Sequence, residues 1–124
     1  KRFYTLLKRR VAPDGAFAVQ STSPLFARKS FWIIDRTIEA AGFSTRPYHA
    51  AVPSFGEWGW VLAAPGPFEA PARVIPGLRF LSDATLPALF SFGPDMARWE
   101  EAPVNRLHDQ ALVRTYESEW RKFE

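Results

Sequence analysis

The segment 19–62 contains, in order, the signals for a strand, a helix and a strand–turn–strand hairpin. The run 16–20 is apolar and closes on a polar residue, Gln20, which is typical of a buried strand that ends at a sheet edge. Only the five residues 53–57 separate the last two strand patterns, so these strands are predicted to pair as an antiparallel hairpin. This order is how a doubly wound α/β enzyme domain ends. We therefore expect the chain to be a fragment of a larger protein.

Length and composition limit the classes of protein that the chain can represent. Its 124 residues suffice for one domain, and 47% apolar with 23% charged residues is typical of a folded chain. The net charge of +3 arises from 16 basic and 13 acidic residues without a concentrated basic face, so no nucleic-acid partner is expected. The absence of cysteine excludes disulfides and thiolate metal sites and fits a cytoplasmic location.

The first half of the chain shows clear helix and strand patterns. Apolar residues at helical spacing predict a helix over 2–11, and a second helix is predicted from a cap at Ser30 to Ala41, ended by Gly42. The inner stripes of these helices are Phe3, Leu6, Leu7 and Val11, and Phe31, Ile34, Ile38 and Ala41. Strands are predicted over 43–52 and 58–63. In the latter, Gly59, Val61 and Ala63 share one face, and Trp58, Trp60 and Leu62 share the other.

The second half is less regular. Four prolines in 64–76 predict an extended surface excursion. Asp83 is expected to cap a short helix, and Asn105 is expected to cap a last helix over 106–123, with Leu112, Tyr116 and Trp120 on one side. We assign 1–63 to the end of the α/β domain and 64–124 to the excursion and C-terminal helices of the same domain.

Few residues in the chain suggest chemistry. His49 and His108 are its two histidines, and a structural or surface role is favoured for both because no metal-ligand spacing surrounds them. No glycine-rich phosphate loop and no G-x-S-x-G nucleophile motif occurs. We therefore expect no metal site and no bound cofactor in this chain.

Two places are candidate ligand sites. Gln20 lies at the carboxyl end of a predicted strand, where open α/β sheets bind ligands, and its amide can hold an amine or hydroxyl group. The alternative is a glutamine that binds only loop backbone. The hairpin turn offers the apolar faces of Phe55 and Trp58 and the charge of Glu57, which suit a cationic ligand with methylene segments. The alternative there is an aromatic plug at the sheet edge.

Three blocks of sequence identify a family resemblance. P-D-G-A-x-x-V-Q-S-T-S-P, E-A-A-G-F and V-P-S-F-G-E-W-G-W-V-L-A occur in this order between residues 13 and 63. Together they resemble the carboxyl-terminal half of the catalytic domain of bacterial polyamine aminopropyltransferases, the spermidine synthase family. The likeness is weaker from residue 64 onward. It implies an α/β fold, namely the carboxyl-terminal part of a methyltransferase-like (Rossmann-like), doubly wound sheet that ends in an antiparallel hairpin and is followed by C-terminal helices.

The resemblance also implies a reaction and substrate-binding residues. In this family an amine such as putrescine receives an aminopropyl group from the co-substrate decarboxylated S-adenosylmethionine, without a metal. Gln20 matches a glutamine that lies beside the amine substrate. Phe55 stands where many members have a tyrosine, so a hydroxyl is lost while an apolar wall remains. Glu57 in the same turn is the residue that would restore polarity.

The family's other motifs do not occur in this chain. Its glycine-rich nucleotide loop and its catalytic aspartate loop, D-x-x-D-P, are absent from the 124 residues. We thus assign no catalytic residue here and predict that the chain alone is inactive. A related methyltransferase-like small-molecule-binding domain and a non-catalytic subunit-interaction module are the alternatives.

The resemblance and the truncated sheet together predict partners. Without an upstream strand, one edge of the strand at 16–20 would be exposed, which predicts self-association through that edge. Some bacterial members of the family carry a membrane-spanning region ahead of the catalytic domain. Contact with a membrane is therefore expected only through such an upstream region.

Overall fold

A three-stranded antiparallel sheet with helices packed on it is the centre of the structure. The computed structural model describes residues 1–123. The helices are α1 (Arg2–Lys8), α2 (Arg28–Ala40), α3 (Leu86–Leu89) and α4 (Ala111–Trp120), and the strands are β1 (Phe17–Gln20), β2 (Ser44–Val52) and β3 (Gly56–Ala64). Short 3-10 turns occupy Pro94–Met96 and Arg121–Phe123. The α/β class is thus confirmed.

The order of the strands determines which loops share an edge of the sheet. It is β1-β3-β2, and β3 is antiparallel to both neighbours. β1 and β2 therefore run parallel to each other, with α2 crossing between them and β3 inserted in the gap. As a result, the carboxyl ends of β1 and β2 lie at the same edge. The predicted hairpin of β2 and β3 is confirmed, with Val52 opposite Gly56.

The turn of this hairpin needs two residues in the left-handed backbone region. Ser54 has φ of 70° and Gly56 has φ of 85°, and the amide of Phe55 donates to the carbonyl of Val52 at 3.0 Å. Glycine adopts such a φ without steric cost, which explains its position just before the returning strand. The tight turn leaves the Phe55 ring 71% exposed.

One face of β3 forms the core against α2. Val61 and Ala63 are fully buried and pack with Ile38 and Phe43. Gly59 is also buried, so the predicted alternation of faces along β3 is confirmed. The α2 residues Phe31 and Ile38 are inaccessible as the helical spacing predicted, and Trp32 and Ile33 are buried too because segment 92–102 covers a second side of the helix.

Gly59 marks the closest approach of α2 to the sheet. A Cβ at this position would lie 2.4 Å from Cε2 of Phe31 and 3.0 Å from Cδ of Pro24. These distances are far below van der Waals contact, so only glycine fits unless the helix or the Ser21–Ala27 loop shifts.

Replacement of Gly59 by alanine is expected to lower the free energy of unfolding by about 2 kcal/mol, because overpacking a close contact typically costs about 1–3 kcal/mol. Urea unfolding followed by tryptophan fluorescence measures the change. Gly66→Ala is the matched control, since nothing lies within 4 Å of a Cβ built there. Equal stability of the two variants would show that the Phe31 contact yields without cost.

Residues 90–92, here called the edge strap, cover the outer side of β2. Phe90 lies 5.6 Å from Tyr48, which itself stacks on Trp60 at 5.5 Å on one face of the sheet. Phe92 lies on the other side, 4.6 Å from His49 and 5.8 Å from Phe31 (ring centroids). The edge strap therefore packs against both faces of β2.

The amino end of α2 is capped by a residue from α4. The Glu119 carboxylate accepts from the amides of Lys29 and Ser30, both at 2.8 Å, and from the Ser30 hydroxyl at 2.6 Å. The prediction that Ser30 caps this helix is wrong, since α2 begins at Arg28 and Ser30 lies inside its first turn. An acidic group is favourable there because it satisfies free amides and complements the helix dipole.

Three other predicted helix features differ from the structure. α1 ends at Lys8 rather than at residue 11, and Phe3 and Leu6 of its predicted inner stripe are 68% and 47% exposed. Asp83 does not cap α3 but accepts from the amide of Val74 at 2.8 Å, which ties the proline-rich segment to the start of this region.

The last helix begins at Ala111, because residues 106–109 form a tight turn with paired backbone hydrogen bonds. Asn105 nevertheless reaches the first turn of α4, since its Oδ1 accepts from the amide of Leu112 at 3.1 Å. Asn105 therefore contributes to the helix start from outside the helix.

β1 has a strand on only one side within residues 1–123, where its single partner is β3. Burial along β1 alternates, and Gln20 is exposed. The strand was predicted to be buried, but Ala18 and Gln20 lie on the face shared with Trp60, opposite the core face that packs against α2. Among the helices of residues 1–123, none has the length and apolar character needed to cross a bilayer.

Candidate functional site

Gln20 is one of the residues that line a concavity beside the carboxyl end of β1. The concavity has a volume of 510 Å³ and lies between β1, α2 and α4; its lining residues are Gln20, Thr22, Ile34, Leu112, Val113, Tyr116 and Glu117. The walls are mostly apolar, and Glu117 is the charged side chain among them. Methylene groups and a cation would both find complementary surfaces here.

The loop that follows Gln20 is clamped to the hairpin by its backbone. The Ser21 amide donates to the Gly59 carbonyl at 2.8 Å, and the Gly59 amide donates to the Thr22 carbonyl at 2.7 Å. The Ser21 hydroxyl donates to the Val19 carbonyl, while the Ser23 hydroxyl accepts from the Phe26 amide. Gln20 is thus held at a fixed distance from the strand that carries Glu57.

Thr22 in this loop has two unusual properties. Its φ of 60° is uncommon for a β-branched residue, and its hydroxyl is buried with no hydrogen-bond partner within residues 1–123. Strained backbone and unpaired polar groups tend to occur where a structure serves a ligand. No sequence pattern had singled out this residue.

The structure brings Gln20 and the Phe55 turn to the same edge of the sheet. Gln20 pairs with Trp60, so the two side chains share a face. The turn follows β2, which runs parallel to β1, and Phe55 projects from it into solvent. The two candidate places predicted from the sequence therefore lie toward the same end of the sheet, with Gln20 opposite Trp60 and the turn beginning four residues away at Gly56.

Glu57 does not join Gln20. It stands three residues before Trp60 on β3, so its side chain lies on the opposite face of the sheet. There it is 19% exposed and its Oε1 binds Nδ1 of His49. The expectation that Glu57 presents a free carboxylate beside Phe55 does not match this arrangement, because the residue is already engaged across the hairpin.

His49 is the feature of this edge that sequence reasoning underrated. Its ring is 13% exposed, and Nε2 binds the carbonyl of Ser91 in the edge strap at 2.5 Å. A signal was available, because pairing of the two strands puts His49 opposite Gly59 and diagonal to Glu57. The exposed His108 lies in the turn before α4 and has no part in this site.

A second buried charge lies on α2, away from this edge. Asp35 is inaccessible, and its Oδ2 lies 3.2 Å from Nη1 of Arg98, which also binds Glu39 at 2.8 Å. Burial raises the pKa of Asp35 from the usual 3.8 to about 6, and Arg98 offsets only part of that rise. The group fastens segment 97–100 to the outside of α2.

Because the pKa of Asp35 is raised on folding, the native state binds its proton more tightly than the unfolded state. Its contribution to stability is therefore largest below pH 4 and falls as pH rises toward 6. A rise of about two units corresponds to at most about 3 kcal/mol. Asp35→Asn has no carboxyl group to ionise, so it should not lose this stability as pH rises. Urea titrations should therefore show the variant gaining stability relative to wild type between pH 4.5 and 7. The control is Asp14→Asn, an exposed site; parallel curves for Asp35→Asn and wild type would contradict the prediction.

Known proteins share much of this sequence. The sequence profile of the spermine/spermidine synthase domain matches residues 1–67. Polyamine aminopropyltransferases 1 and 2 of Ralstonia nicotianae are each 51% identical over 120 residues, which is 95% of this chain and 23% of theirs. The polyamine aminopropyltransferase of Leptospira interrogans is 47% identical over 120 residues, covering 97% of this chain and 24% of its own length.

The chain spans about a quarter of the length of the curated relatives it matches. The profile nevertheless covers more than half of the chain, including β1, α2, the hairpin and the loop after Gln20. The chain therefore belongs to the spermine/spermidine synthase domain family.

Proposed function

We propose that this chain supplies the amine-facing part of the catalytic domain of a polyamine aminopropyltransferase. The observation that carries the proposal is that the carboxyl ends of β1 and β2, which lead to Gln20 and to the Phe55 turn, point to the same end of the sheet. Ligands of open α/β sheets bind beyond the carboxyl ends of strands. The relatives that carry the name of this activity are 47–51% identical across almost the whole chain.

In the proposed reaction a primary amine attacks the aminopropyl carbon next to the sulfonium of decarboxylated S-adenosylmethionine. A C–N bond forms, the C–S bond breaks with its electron pair going to sulfur, and the new ammonium group releases a proton. The 124 residues carry no glycine-rich loop that fits the nucleotide part of the co-substrate. The part left to this chain is to hold the attacking amine in line, and such orientation supplies much of the rate of a two-substrate reaction.

We assign each candidate residue a task in holding putrescine or a similar amine. The Gln20 amide oxygen accepts a hydrogen bond from the amine nitrogen and leaves its lone pair free to attack. The exposed Phe55 ring covers the methylene chain. Glu57 supports the turn from the opposite face through His49 rather than touching the amine.

We also propose the frame in which the chain sits. β1, α2 and β2 form a β–α–β unit with β3 inserted, which suits the end of a doubly wound methyltransferase-like sheet. Residues 1–63 complete that sheet, and residues 64–124 belong to the same domain, since Glu119 on α4 caps α2.

The proposal is tested by assaying a full-length protein that contains this sequence. Release of methylthioadenosine with putrescine and decarboxylated S-adenosylmethionine is the expected result. Methyl transfer from S-adenosylmethionine in its place would favour the related methyltransferase-like domain. Absence of both activities, with binding to a partner subunit retained, would favour an interaction module.

For the isolated chain we propose self-association through β1, whose outer edge has no partner strand within residues 1–123. Unpaired backbone groups at such an edge favour pairing with a second chain. Light scattering at rising protein concentration is expected to show a dimer or larger species. A proline at Ala18, in the middle of the strand, should reduce the association, and a monomeric mass at the highest concentration would contradict the proposal.

A further inference from the structure

His49 is a polar side chain at the proposed amine-facing edge that has partners at both of its ring nitrogens. It lies on β2 with its ring 13% exposed, and both ring nitrogens have partners. Nδ1 meets the carboxylate of Glu57 on β3, and Nε2 meets the carbonyl oxygen of Ser91 in the edge strap. The Phe92 ring packs against the imidazole with a centroid distance of 4.6 Å.

The identity of these partners fixes where protons must be. A carbonyl oxygen can only accept, so Nε2 must carry a hydrogen. A neutral imidazole then has a bare lone pair on Nδ1, which would face the acceptor oxygen of an ionised Glu57. The contact is favourable only when a proton lies between these two atoms. An imidazolium beside a carboxylate satisfies both contacts at once, because both ring nitrogens then donate.

The two bonds connect three parts of the chain. Glu57 follows Gly56 directly, so it holds the start of β3 and with it the turn that carries Phe55. Ser91 belongs to the edge strap, whose neighbour Phe92 reaches Phe31 and Trp32 on α2. Glu57 is the titratable group that the described contacts place on His49, since its other contacts are a carbonyl and an aromatic ring.

We propose that His49 is held as an imidazolium and acts as a positioning residue. As a charged link between Glu57 and the edge strap, it fixes the orientation of the Phe55 turn. The effect of His49 on amine binding rests on the function proposed above. Its protonation and its hydrogen bond to the edge strap are independent of that function. Charge-assisted bonds at both nitrogens suit this task, because they are stronger and more directional than neutral ones.

The protonation is tested on the 124-residue chain, which has two histidines. Nitrogen-15 NMR of the imidazole rings at pH 7.5 is expected to show both nitrogens of His49 protonated. In Glu57→Gln, Nδ1 of His49 should lose its proton. A neutral His49 tautomer in the unmodified chain would overturn the proposal.

The positioning role is tested in a full-length protein that contains the sequence. His49→Gln and Glu57→Gln are each expected to raise KM for the amine about tenfold, with KM for the nucleotide co-substrate unchanged. The double variant should be no worse than either single variant, because both changes break one link. His108→Gln is the matched control and should leave both constants unchanged.

The two tests fail in different ways. An imidazolium signal combined with an unchanged amine KM in both variants would overturn the positioning role alone. Absence of aminopropyl transfer in the unmodified protein would overturn the proposed function, while the NMR result would still decide the state of His49. Equal rises of both KM values would indicate general loss of structure and would contradict positioning.

Discussion

The isolated 124-residue chain is expected to show no aminopropyl transfer above background. It contains neither a glycine-rich nucleotide loop nor a D-x-x-D-P motif, so nothing in it holds the reacting sulfonium beside the amine. Alignment of two reactants is equivalent to an effective concentration of up to about 10⁵–10⁸ M, and a chain that holds only one reactant forfeits this gain. Release of methylthioadenosine, followed by chromatography at high protein concentration, measures the activity.

The absence of activity is informative only if the isolated chain is folded. Near-ultraviolet circular dichroism reports on its five tryptophans, and hydrogen exchange at Val61 and Ala63 reports on the centre of β3. A full-length protein that contains the same sequence, assayed in parallel, is the positive control. Robust turnover by the folded chain would show that residues 1–124 contain a complete catalytic site.

Replacement of Gln20 by alanine in the full-length protein is expected to lower kcat/KM for the amine by about 10- to 100-fold. This is the effect of losing one hydrogen bond to a group that becomes charged, worth about 1.5–3 kcal/mol. KM for the nucleotide co-substrate should stay unchanged, because Gln20 is assigned to the amine and the chain contains no glycine-rich nucleotide loop. Steady-state kinetics with each substrate varied in turn separate the two constants.

Gln110→Ala is the matched control for this substitution. Gln110 is exposed and donates only to the carbonyls of Arg106 and Leu107 in the turn before α4. Its loss should leave both Michaelis constants unchanged. If Gln20→Ala behaves like Gln110→Ala, Gln20 is a loop residue without contact to the amine. If Gln20→Ala changes both constants equally, the loop after β1 has lost its conformation.

Local sequence patterns predicted the centre of the fold well. The alternation of side chains along β3 predicted its buried face, and the short connection of five residues predicted the hairpin. Both features depend on residues that are near one another in the chain. Gly42, with φ of 99°, ends α2 as expected for a glycine just past a helix. The insertion of β3 between β1 and β2 followed from no local pattern, since strand order depends on long-range packing.

The roles of Gln20, Phe55 and Glu57 as amine-binding residues stay predictions. The strand order brings the carboxyl ends of β1 and β2, and with them Gln20 and the Phe55 turn, to the same end of the sheet. Glu57 lies on the other face, and a face is fixed only once the register is known. The sequence pointed only weakly to His49 as a functional residue, because a single histidine within a strand is more often structural. Its second partner, Ser91, is distant in the chain and could not be predicted from local patterns. Nothing in the sequence pointed to Thr22, because threonine rarely adopts a positive φ and the residue type therefore does not predict one.

The helix starts were predicted least well, and Glu119 shows why. A search for a helix cap examines the few residues before the helix, whereas α2 takes its cap from a side chain 89 residues further along the chain. Asn105 similarly serves α4 from seven residues away. Both caps require a folded structure before they exist.

The distant cap has a consequence for how the protein is made. A ribosome releases α2 and the loop after Gln20 long before it releases Glu119, so during synthesis the first amides of α2 are left to water. The amino end of this helix can therefore reach its final state only after residue 119 has emerged. A chain that stops shortly before residue 119 would keep the residues of β1, β2 and β3 and the backbone bonds of Ser21 and Thr22 to Gly59, but it would lack the cap of α2.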